Sequence, residues 1–329
     1  RIIPPCSYYS SCSGCQWQHI EYQTQLKYKR EKVKSALEKY SVLRGTIVQP
    51  TLPSPQKYGY RNHARFSLNR SGGIGFINRH TRQFVEVDEC LIMSPYINGP
   101  LGVMQGKLRG MTQMSVRVGI NTGQLLIQPK LPNEEISLDS GGQSYVEKLC
   151  GRYFKVAGSS FFQVNTPQTE VLAKILLTRL RLSKTQTIVD AYAGVGVYAV
   201  LLAPSAARVI AIEESRSAII DAMENASGLE NIEFIQAKTE DALTQIECPV
   251  DAIIVDPPRS GCHPSALEGI LSLVPQRVAM VSCDPETMAR DLSVLCRSGK
   301  FVLEDIQPID MFPQTHHVES VVTLVKASC

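Results

Sequence analysis

The chain has 329 residues, of which 43% are hydrophobic and 20% are charged, and its formal net charge is +3. This length allows two domains with ordinary cores, and no apolar run approaches the ~18 residues that a membrane helix needs. The chain opens at Arg1 without a signal-peptide pattern, so we predict a cytoplasmic monomer with no membrane partner. In that compartment the ten cysteines are reduced and available for metal binding or catalysis.

The first half of the chain is predicted to hold a basic helix followed by antiparallel strands. The helix spans about residues 23–40, where six lysines and arginines outnumber two glutamates. Alternating runs broken by glycine and proline come next, namely RFSLNRSGGIGFI, RQFVEVDE and QMSVRVGINTGQLLIQP. Such alternation is typical of strands in an antiparallel sheet.

Positive charge is concentrated in this first half. Between Thr51 and Val85 there are six lysines and arginines and no acid. An excess of this kind suits a nucleic-acid phosphate backbone, and a solvated basic face explains it equally well from charge alone. Charge by itself therefore leaves a nucleic-acid partner open.

The second half, from about Phe161, is predicted to alternate helices with short apolar strands. The predicted helices include Thr166–Leu182, Ala218–Ala226 and Pro285–Arg297. The predicted strands are Ile188–Asp190, Arg208–Ile212, Ile232–Gln236, Asp251–Asp256 and Arg277–Ser282, with Phe301–Gln307 and Val318–Val325 as a closing hairpin-like pair at the sheet edge. This alternation favours a mainly parallel sheet covered on both faces.

A glycine-rich turn after the first of these strands predicts a nucleotide-cofactor site. Residues 188–199 read IVDAYAGVGVYA, and Gly194 and Gly196 let the backbone pass close to a ligand. Glu213 ends the next strand, where a carboxylate can accept both ribose hydroxyls. The pattern G-x-G-x-x-A also fits a nicotinamide dinucleotide, and the turn alone also fits a loop without a ligand. The DPPR at residues 256–259 decides for S-adenosylmethionine, because nucleobase methyltransferases carry such a motif and dehydrogenases do not.

Four residues together predict methylation of a ring carbon. Arg259 stands where an aromatic side chain would suggest an exocyclic amine. Carbon C5 of uracil accepts a methyl group once a thiolate has added at C6, and a base must then remove the C5 proton. Cys283, before a helix whose dipole favours its thiolate, is the candidate nucleophile, Asp256 the candidate ligand of the pyrimidine edge, and Glu319 the candidate base. Taken singly, a buried core thiol and a surface acid remain the alternatives for Cys283 and Glu319.

Five motifs together resemble the series found in the RNA 5-methyluridine (uracil-C5) methyltransferases. They are FFQVN (161–165), DAYAGVG (190–196), DPPRSG (256–261), SCDPETMARD (282–291) and DMFPQTHHVES (310–320). The resemblance covers essentially the whole chain, and that family modifies uridines in 23S ribosomal RNA and in the T-loop of transfer RNA. Two positions depart from it: Asp284 stands where many members have Asn, and Val197 where some have a polar residue that touches the cofactor.

The resemblance implies a set of site residues and a fold. Cys283 is implied as the nucleophile and Glu319 as the base that takes the C5 proton. The residues implied to line the S-adenosylmethionine and base pocket are Gln163, Tyr192, Glu213 and Asp256, with Phe161 stacking near the flipped uracil. The implied α/β fold has a Rossmann-like S-adenosylmethionine-dependent methyltransferase domain at residues 158–329, after a cluster-bearing, mainly antiparallel β domain at residues 1–157.

Four cysteines near the start form a second candidate site. Cys6, Cys12 and Cys15 are spaced C-x5-C-x2-C, and Cys90 stands alone later. The spacing leaves zinc and iron–sulfur open. The resemblance implies a [4Fe–4S] cluster on these four cysteines, as in the cluster-bearing branch of the family, with a structural or RNA-binding role. The other cysteines are given no role: Cys150, Cys248, Cys262, Cys296 and Cys329.

The combined prediction is methylation of C5 of a uridine in structured RNA, with 23S ribosomal RNA as the first choice of substrate. The T-loop of transfer RNA is the alternative substrate, and a 5-methylcytosine RNA methyltransferase or a catalytically inactive iron–sulfur RNA-binding protein are the alternative functions. Arg61, Arg65 and Arg79 are predicted to contact the RNA backbone, while the target uridine leaves its stack. Many family members begin with a β-barrel RNA-binding module, which we expect to be absent or removed here.

Overall fold

The structure is a computed structural model that describes residues 1–132 and 136–328, so Cys329 lies outside the described residues. The chain divides into two compact units. The first comprises Arg1–Gln25, Ser54–Thr169 and Phe312–His316, and the second comprises Leu26–Pro53, Glu170–Met311 and His317–Cys329. The boundary predicted between residues 157 and 158 stays a prediction. Among the described residues there is no helix whose length and apolarity would let it span a membrane.

The basic helix near the start is α1 (Tyr22–Leu37). It ends at Leu37 rather than at the predicted Tyr40, because the backbone changes there from α-helical to 3-10 hydrogen bonding. The Tyr40 N–H donates to the Leu37 carbonyl at 3.0 Å, and Ser41–Leu43 forms a short 3-10 turn. Val33 and Leu37 are buried in the core of the second unit, so the helix presents an apolar stripe beside its charged surface.

The first unit contains a five-stranded antiparallel sheet. Its strands are β1 (His63–Leu68), β2 (Ile74–Ile77), β3 (Phe84–Glu86), β4 (Gln113–Val118) and β5 (Leu125–Gln128), in the order β3-β2-β1-β4-β5. Alternate residues of β1 are buried, as expected when one face of a sheet covers a core. Phe66 shares that core with Ile97 and Leu101 of helix α2 (Pro95–Met104). The predicted antiparallel strands are confirmed, and α2 is an element that the alternation pattern did not predict.

A second β element of the first unit is the hairpin of β6 (Ser144–Leu149) and β7 (Arg152–Ala157). The sequence analysis did not predict it. Glu147 of β6 is 0% exposed, and its carboxylate accepts hydrogen bonds from the N–H of Ile120 at 2.8 Å and from the Thr166 hydroxyl at 2.7 Å. Thr166 begins helix α3 (Thr166–Leu180), so this buried acid fixes the start of that helix.

The second unit is built on a seven-stranded sheet. Its strands are β8 (Thr187–Ala191), β9 (Arg208–Glu213), β10 (Ile232–Gln236), β11 (Ala252–Val255), β12 (Arg277–Ser282), β13 (Phe301–Ile309) and β14 (Glu319–Lys326). The helices between them are α4 (Val197–Leu202), α5 (Arg216–Asn225), α6 (Thr239–Ala242), α7 (Pro264–Leu273) and α8 (Pro285–Arg297). The order is β10-β9-β8-β11-β12-β14-β13. Strand β14 runs antiparallel to both of its neighbours, β12 and β13. The predicted parallel sheet with a closing hairpin is confirmed.

Both faces of this sheet are covered. In β11, Ile253 and Val255 belong to the same core as residues of α7 and α8. Ile254 points to the opposite face, and it is also 0% exposed. A strand that is buried on both sides is what a parallel sheet between two helical layers requires.

The strand order reverses beside β8. The chain runs outward from β8 through β9 to β10 and then returns to β11 on the other side of β8. In open α/β sheets, ligands bind at such a switch point, beyond the carboxyl ends of the strands. The residues that follow these strand ends include Tyr192, Asp256 and Cys283.

Candidate active site

Cys283 and Glu319 are brought together by the pairing of two strands. The antiparallel register of β12 and β14 sets Ser282 opposite Ser320. Cys283 follows Ser282 and Glu319 precedes Ser320, so the same register places them beside each other. Asp284 then caps α8, its Oδ1 accepting from the N–H groups of Glu286 and Thr287 at 2.9 and 3.1 Å. The departure from Asn at this position therefore retains a helix cap.

Asp256 and Arg259 complete the immediate surroundings of Cys283. Asp256 follows β11, and its Oδ2 accepts a hydrogen bond from the Tyr198 hydroxyl at 3.2 Å. Arg259 lies three residues later, close enough to Cys283 that its guanidinium acts to lower the pKa of that thiol. The sequence analysis used Arg259 only as a sign that no aromatic residue was present. Its contact with the thiol could not be recognised without the fold.

The Cys283 thiol is harder to ionise than a free cysteine. Burial and the charge of Glu319 raise its pKa to about 11, with a smaller rise from Asp256, and Arg259 opposes them. The sequence predicts a thiolate favoured by the dipole of α8. Burial and two neighbouring carboxylates act against that effect in the free protein, and the effect of the dipole itself stays a prediction.

Glu319 is a buried acid rather than a surface one. It is 2% exposed, and burial together with the charge of Asp256 holds the pKa of its carboxyl well above the usual range, against the opposing effect of Arg259. A carboxylate of raised pKa is a stronger proton acceptor once it is ionised. The ionisation of Glu319 therefore depends on Asp256 and on the guanidinium of Arg259.

A cavity of about 450 Å³ opens at the carboxyl ends of β8 to β11. Its lining is drawn from the second unit: Tyr192, Glu213, Glu214, Lys238, Thr239, Glu240, Pro258, Ser260, Gly261, Cys262, His263, Pro264 and Arg290. Two predicted cofactor residues, Tyr192 and Glu213, are among them. Residues 238–240 also line the cavity and were not predicted to do so. Their place just after the predicted strand Ile232–Gln236 could have indicated them.

The glycine-rich turn beneath this cavity has the backbone that its sequence predicts. Tyr192, Gly194 and Gly196 have φ of 69°, 56° and 81°, values that favour glycine. A Cβ at Gly196 would lie 3.1 Å from the Cβ of Ala222 in α5, whereas one at Gly194 would meet nothing within 4 Å. Close packing against α5 therefore favours glycine at position 196, whereas the space beside Gly194 is open to a ligand.

The acids around the turn fit a cationic, ribose-bearing cofactor. Each oxygen of Glu213 accepts one backbone N–H at 2.8 Å, from Gly194 and Ser215, which leaves a lone pair on each oxygen for a hydroxyl. Asp190 is 0% exposed, and burial raises its pKa to about 8. Its Oδ2 accepts from the Ala199 N–H at 2.9 Å, while its Oδ1 has no hydrogen-bond partner among the described residues. S-Adenosylmethionine carries a positive charge, which suits these acids, and ribose hydroxyls, which can donate hydrogen bonds to the free lone pairs of Glu213.

Gln163 and Phe161 belong to the first unit. The Gln163 carbonyl accepts a hydrogen bond from the Asn62 side-chain amide at 3.0 Å, and Phe161 is 71% exposed. Their roles toward cofactor and uracil stay predictions.

The four cysteines of the second candidate site line one cavity of about 400 Å³ in the first unit. Burial, reinforced by the neighbouring thiols, raises the pKa of Cys15 to about 12 and that of Cys90 to about 11. Arg61, Arg65 and Arg79 line the same cavity, and no acid among the described residues does. Within residues 1–132 and 136–328, no three or more His, Cys, Asp or Glu side chains are grouped closely enough to hold one metal ion.

Comparison with known proteins gives consistent results over both halves of the chain. The family model described as tRNA (Uracil-5-)-methyltransferase matches residues 146–327. An uncharacterized RNA methyltransferase of Thermosynechococcus vestitus is 32% identical, covering 98% of this chain and 84% of that protein. One of Halalkalibacterium halodurans is 32% identical over 98% of this chain and 83% of that protein.

A solved structure extends the similarity to the fold. The Pyrococcus abyssi tRNA (uracil-54, C5)-methyltransferase, in complex with S-adenosyl-L-homocysteine, superposes with a TM-score of 0.79 at 27% sequence identity. The match covers 95% of this chain and 86% of that one. It therefore includes the antiparallel sheet as well as the seven-stranded sheet, and the predicted Rossmann-like methyltransferase fold is confirmed.

Proposed function

The chain belongs to the tRNA (uracil-5-)-methyltransferase family, and from this premise we propose that it methylates C5 of a uridine through a covalent bond between Cys283 and C6. The protein is an S-adenosylmethionine-dependent RNA methyltransferase. What we add is the reaction path and the residues that carry it. The supporting observation is the β12–β14 register, which sets Cys283 beside Glu319 at the edge where Asp256 and Arg259 also lie.

Each residue has one step in the proposed reaction. The Cys283 thiol first loses its proton to water and Arg259 stabilises the resulting thiolate; its sulfur then adds to C6, which makes C5 electron-rich. S-Adenosylmethionine, when bound, supplies a methyl group that C5 takes from its sulfonium. Glu319 then removes the C5 proton, the C5–C6 double bond re-forms, and the C6–sulfur bond breaks. Asp256 binds the O4–N3 edge of the base and keeps the ring in place.

The proposal is tested with RNA that contains 5-fluorouridine. Fluorine at C5 cannot leave as a proton does, so the enzyme and RNA should stay joined after methyl transfer and migrate together on a denaturing gel. Cys283→Ala is expected to abolish this species. Cys296→Ala, which changes another partly buried cysteine at the far end of α8, should form it like the wild type. Wild-type methylation by Cys283→Ala would contradict the proposed path.

We propose 23S ribosomal RNA as the substrate, as the sequence analysis preferred. Transfer RNA is the second candidate, and the similarity to the Pyrococcus abyssi tRNA (uracil-54, C5)-methyltransferase favours it. Mapping of 5-methyluridine by mass spectrometry, in RNA from a strain that lacks the gene, separates them. Loss from one RNA class identifies the substrate. Loss of 5-methylcytidine instead would identify the alternative chemistry, and no loss would favour the inactive RNA-binding protein.

We propose that Cys6, Cys12, Cys15 and Cys90 bind a [4Fe–4S] cluster. The support is that all four line one cavity, and that a cluster takes one thiolate on each iron, so its ligands stand farther apart than those of a single ion. The thiols must lose their protons on binding, which a metal centre makes possible. Iron and sulfide analysis of anaerobically purified protein should give about four of each per chain, and Cys90→Ser should lower both. Zinc in place of iron would contradict the proposal.

Arg61, Arg65 and Arg79 are proposed to hold RNA phosphates at the opening of the same cavity. The surroundings support a net positive field, since burial and the charges of Arg117, Arg61 and Arg65 lower the pKa of His63 to about 4. His63 is therefore neutral at pH 7, and the positive charge of this surface comes from the arginines alone. A phosphate is the ligand that such an acid-free rim fits best.

A further inference from the structure

Helix α8 is bonded to the loop that carries Arg259. The loop consists of residues 256–262 (DPPRSGC), and three side chains of α8 reach its backbone. The Thr287 hydroxyl lies 3.2 Å from the Arg259 carbonyl, a guanidinium N–H of Arg290 donates to the Ser260 carbonyl at 2.9 Å, and Asp291 accepts from the Cys262 N–H at 2.7 Å. We call Thr287, Arg290 and Asp291 the α8 bracket.

The bracket is internally tied and closely fitted. Arg290 Nε donates to Asp291 Oδ1 at 2.8 Å, and Asp291 is 0% exposed. Gly261 has a φ of +80°, and a Cβ added there would lie 2.6 Å from Asp291 Oδ2. The loop therefore passes too close to α8 for any residue with a side chain, which is a reason for glycine at this position beyond its backbone angle.

The same helix also begins beside the proposed nucleophile. Cys283 directly precedes the helix cap, and the charged groups that face its thiol are Glu319, Arg259 and Asp256. Arg259 is the one cation among them, and it is an exposed residue. An exposed arginine has many rotamers, so its place against the thiol depends on where its backbone is held.

We propose that Thr287, Arg290 and Asp291 are positioning residues that hold the backbone of Arg259 so that its guanidinium stays on the Cys283 sulfur. The inference rests on the proposed role of Cys283 as nucleophile. One helix then places both partners: the thiol at its amino end and, through its first two turns, the arginine that stabilises the thiolate. Arg290 and residues 260–262 also line the cofactor cavity, so the bracket joins that cavity to the nucleophile.

The test measures alkylation of Cys283 by iodoacetamide in the free protein, followed by mass spectrometry of the peptide that contains it. Only the thiolate reacts. If the bracket holds Arg259 in place, Thr287→Val and Asp291→Asn should each lower the rate at pH 9 about tenfold, as for a thiol whose pKa rises by about one unit. Thr287→Ser keeps the hydroxyl and should react at the wild-type rate.

Matched controls separate positioning from general loosening. Arg297→Gln, on an exposed residue later in α8, should not change the rate, whereas Arg290→Gln should lower it. Arg259→Gln should lower it too, and adding Asp291→Asn to that variant should change nothing further. A bracket that served only to stabilise the fold would leave the thiol better solvated when broken, so the rate would be unchanged or would rise. Either result overturns the proposal.

The readout does not depend on methyl transfer. If Cys283→Ala still methylates RNA, the proposed reaction fails whatever the alkylation rates are. If Cys283 is essential but the bracket variants alkylate normally, the positioning role fails alone. Should Asp291→Asn not fold, as judged by its thermal melt, Thr287→Val against Thr287→Ser carries the test.

Discussion

The two units of the molecule surround their cysteines with different kinds of group. Around Cys283 in the second unit lie two acids and one arginine, and that arginine opposes the rise in the thiol pKa. Around Cys15 in the first unit lie other thiols, which raise its pKa together with burial. The arginines that line the same cavity are not among the groups that lower the pKa of Cys15. A buried thiol needs a nearby positive charge to ionise. The second unit provides a guanidinium for this, whereas in the first unit the proposed cluster would supply the positive charge.

The largest expected effect tests the acids of the second unit. Glu319→Gln removes the proposed base, and we expect product formation to fall by about 10²- to 10⁴-fold, the usual contribution of a positioned base. The covalent RNA adduct should still form with unmodified uridine and persist, because only the later proton removal is blocked. Single-turnover methyl transfer and a denaturing gel measure both quantities.

A matched glutamate provides the control for this variant. Glu233→Gln changes an exposed residue of β10 that is paired with Arg208 and should leave the rate unchanged. Rapid turnover by Glu319→Gln would mean that another group takes the C5 proton.

An effect of intermediate size concerns Asp190, the buried acid below the cofactor turn. Its pKa is about 8 in the folded protein, against an ordinary value of about 3.9, so the folded state holds a proton that the unfolded state releases. The stabilisation that comes from holding this proton in the folded state is complete below about pH 4 and is lost as pH rises toward 8. Asp190→Asn does not titrate, so relative to the wild type it should gain stability between pH 5 and pH 8.5, on the order of several kcal/mol.

Thermal melts of the cofactor-free protein at the two pH values check this expectation. Asp241→Asn, at an exposed position in α6, should show no such relative gain. A stability difference between Asp190→Asn and the wild type that does not change with pH would show that Asp190 is already ionised at pH 5.

The smallest expected effect tests the arginines of the first unit. Arg65→Gln and Arg79→Gln should each weaken binding to structured RNA a few-fold and reduce the slope of log affinity against log salt by about 0.7–0.9, as for one phosphate contact. Arg70→Gln changes an exposed arginine in the turn between β1 and β2 that does not line the cavity, and its slope should match the wild type. Equal slopes for all three variants would place the RNA elsewhere.

Local sequence patterns predicted most of the second unit and less of the first. Strands Ile232–Gln236 and Arg277–Ser282 and helix Pro285–Arg297 have the predicted bounds, because short apolar runs between turn residues mark buried parallel strands. Helix α2 was missed since it is interrupted by Gly99, Pro100 and Gly102, residues that usually indicate a loop. The hairpin of β6 and β7 was missed as well, in a segment rich in charged and polar residues.

The sequence by itself determined the chemistry that is available: a cysteine after a strand, acids at strand ends, a glycine turn, and three closely spaced cysteines with a fourth at position 90. These follow from residue types and from periodicities that act over a few neighbours. Only the tertiary structure decided which of them meet. The register of β12 and β14 places Cys283 beside Glu319, and the α8 bracket brings Arg259 to the thiol. Burial also raises the pKa of Cys283, because desolvation depends on the whole packed surroundings of a group and not on its neighbours in sequence.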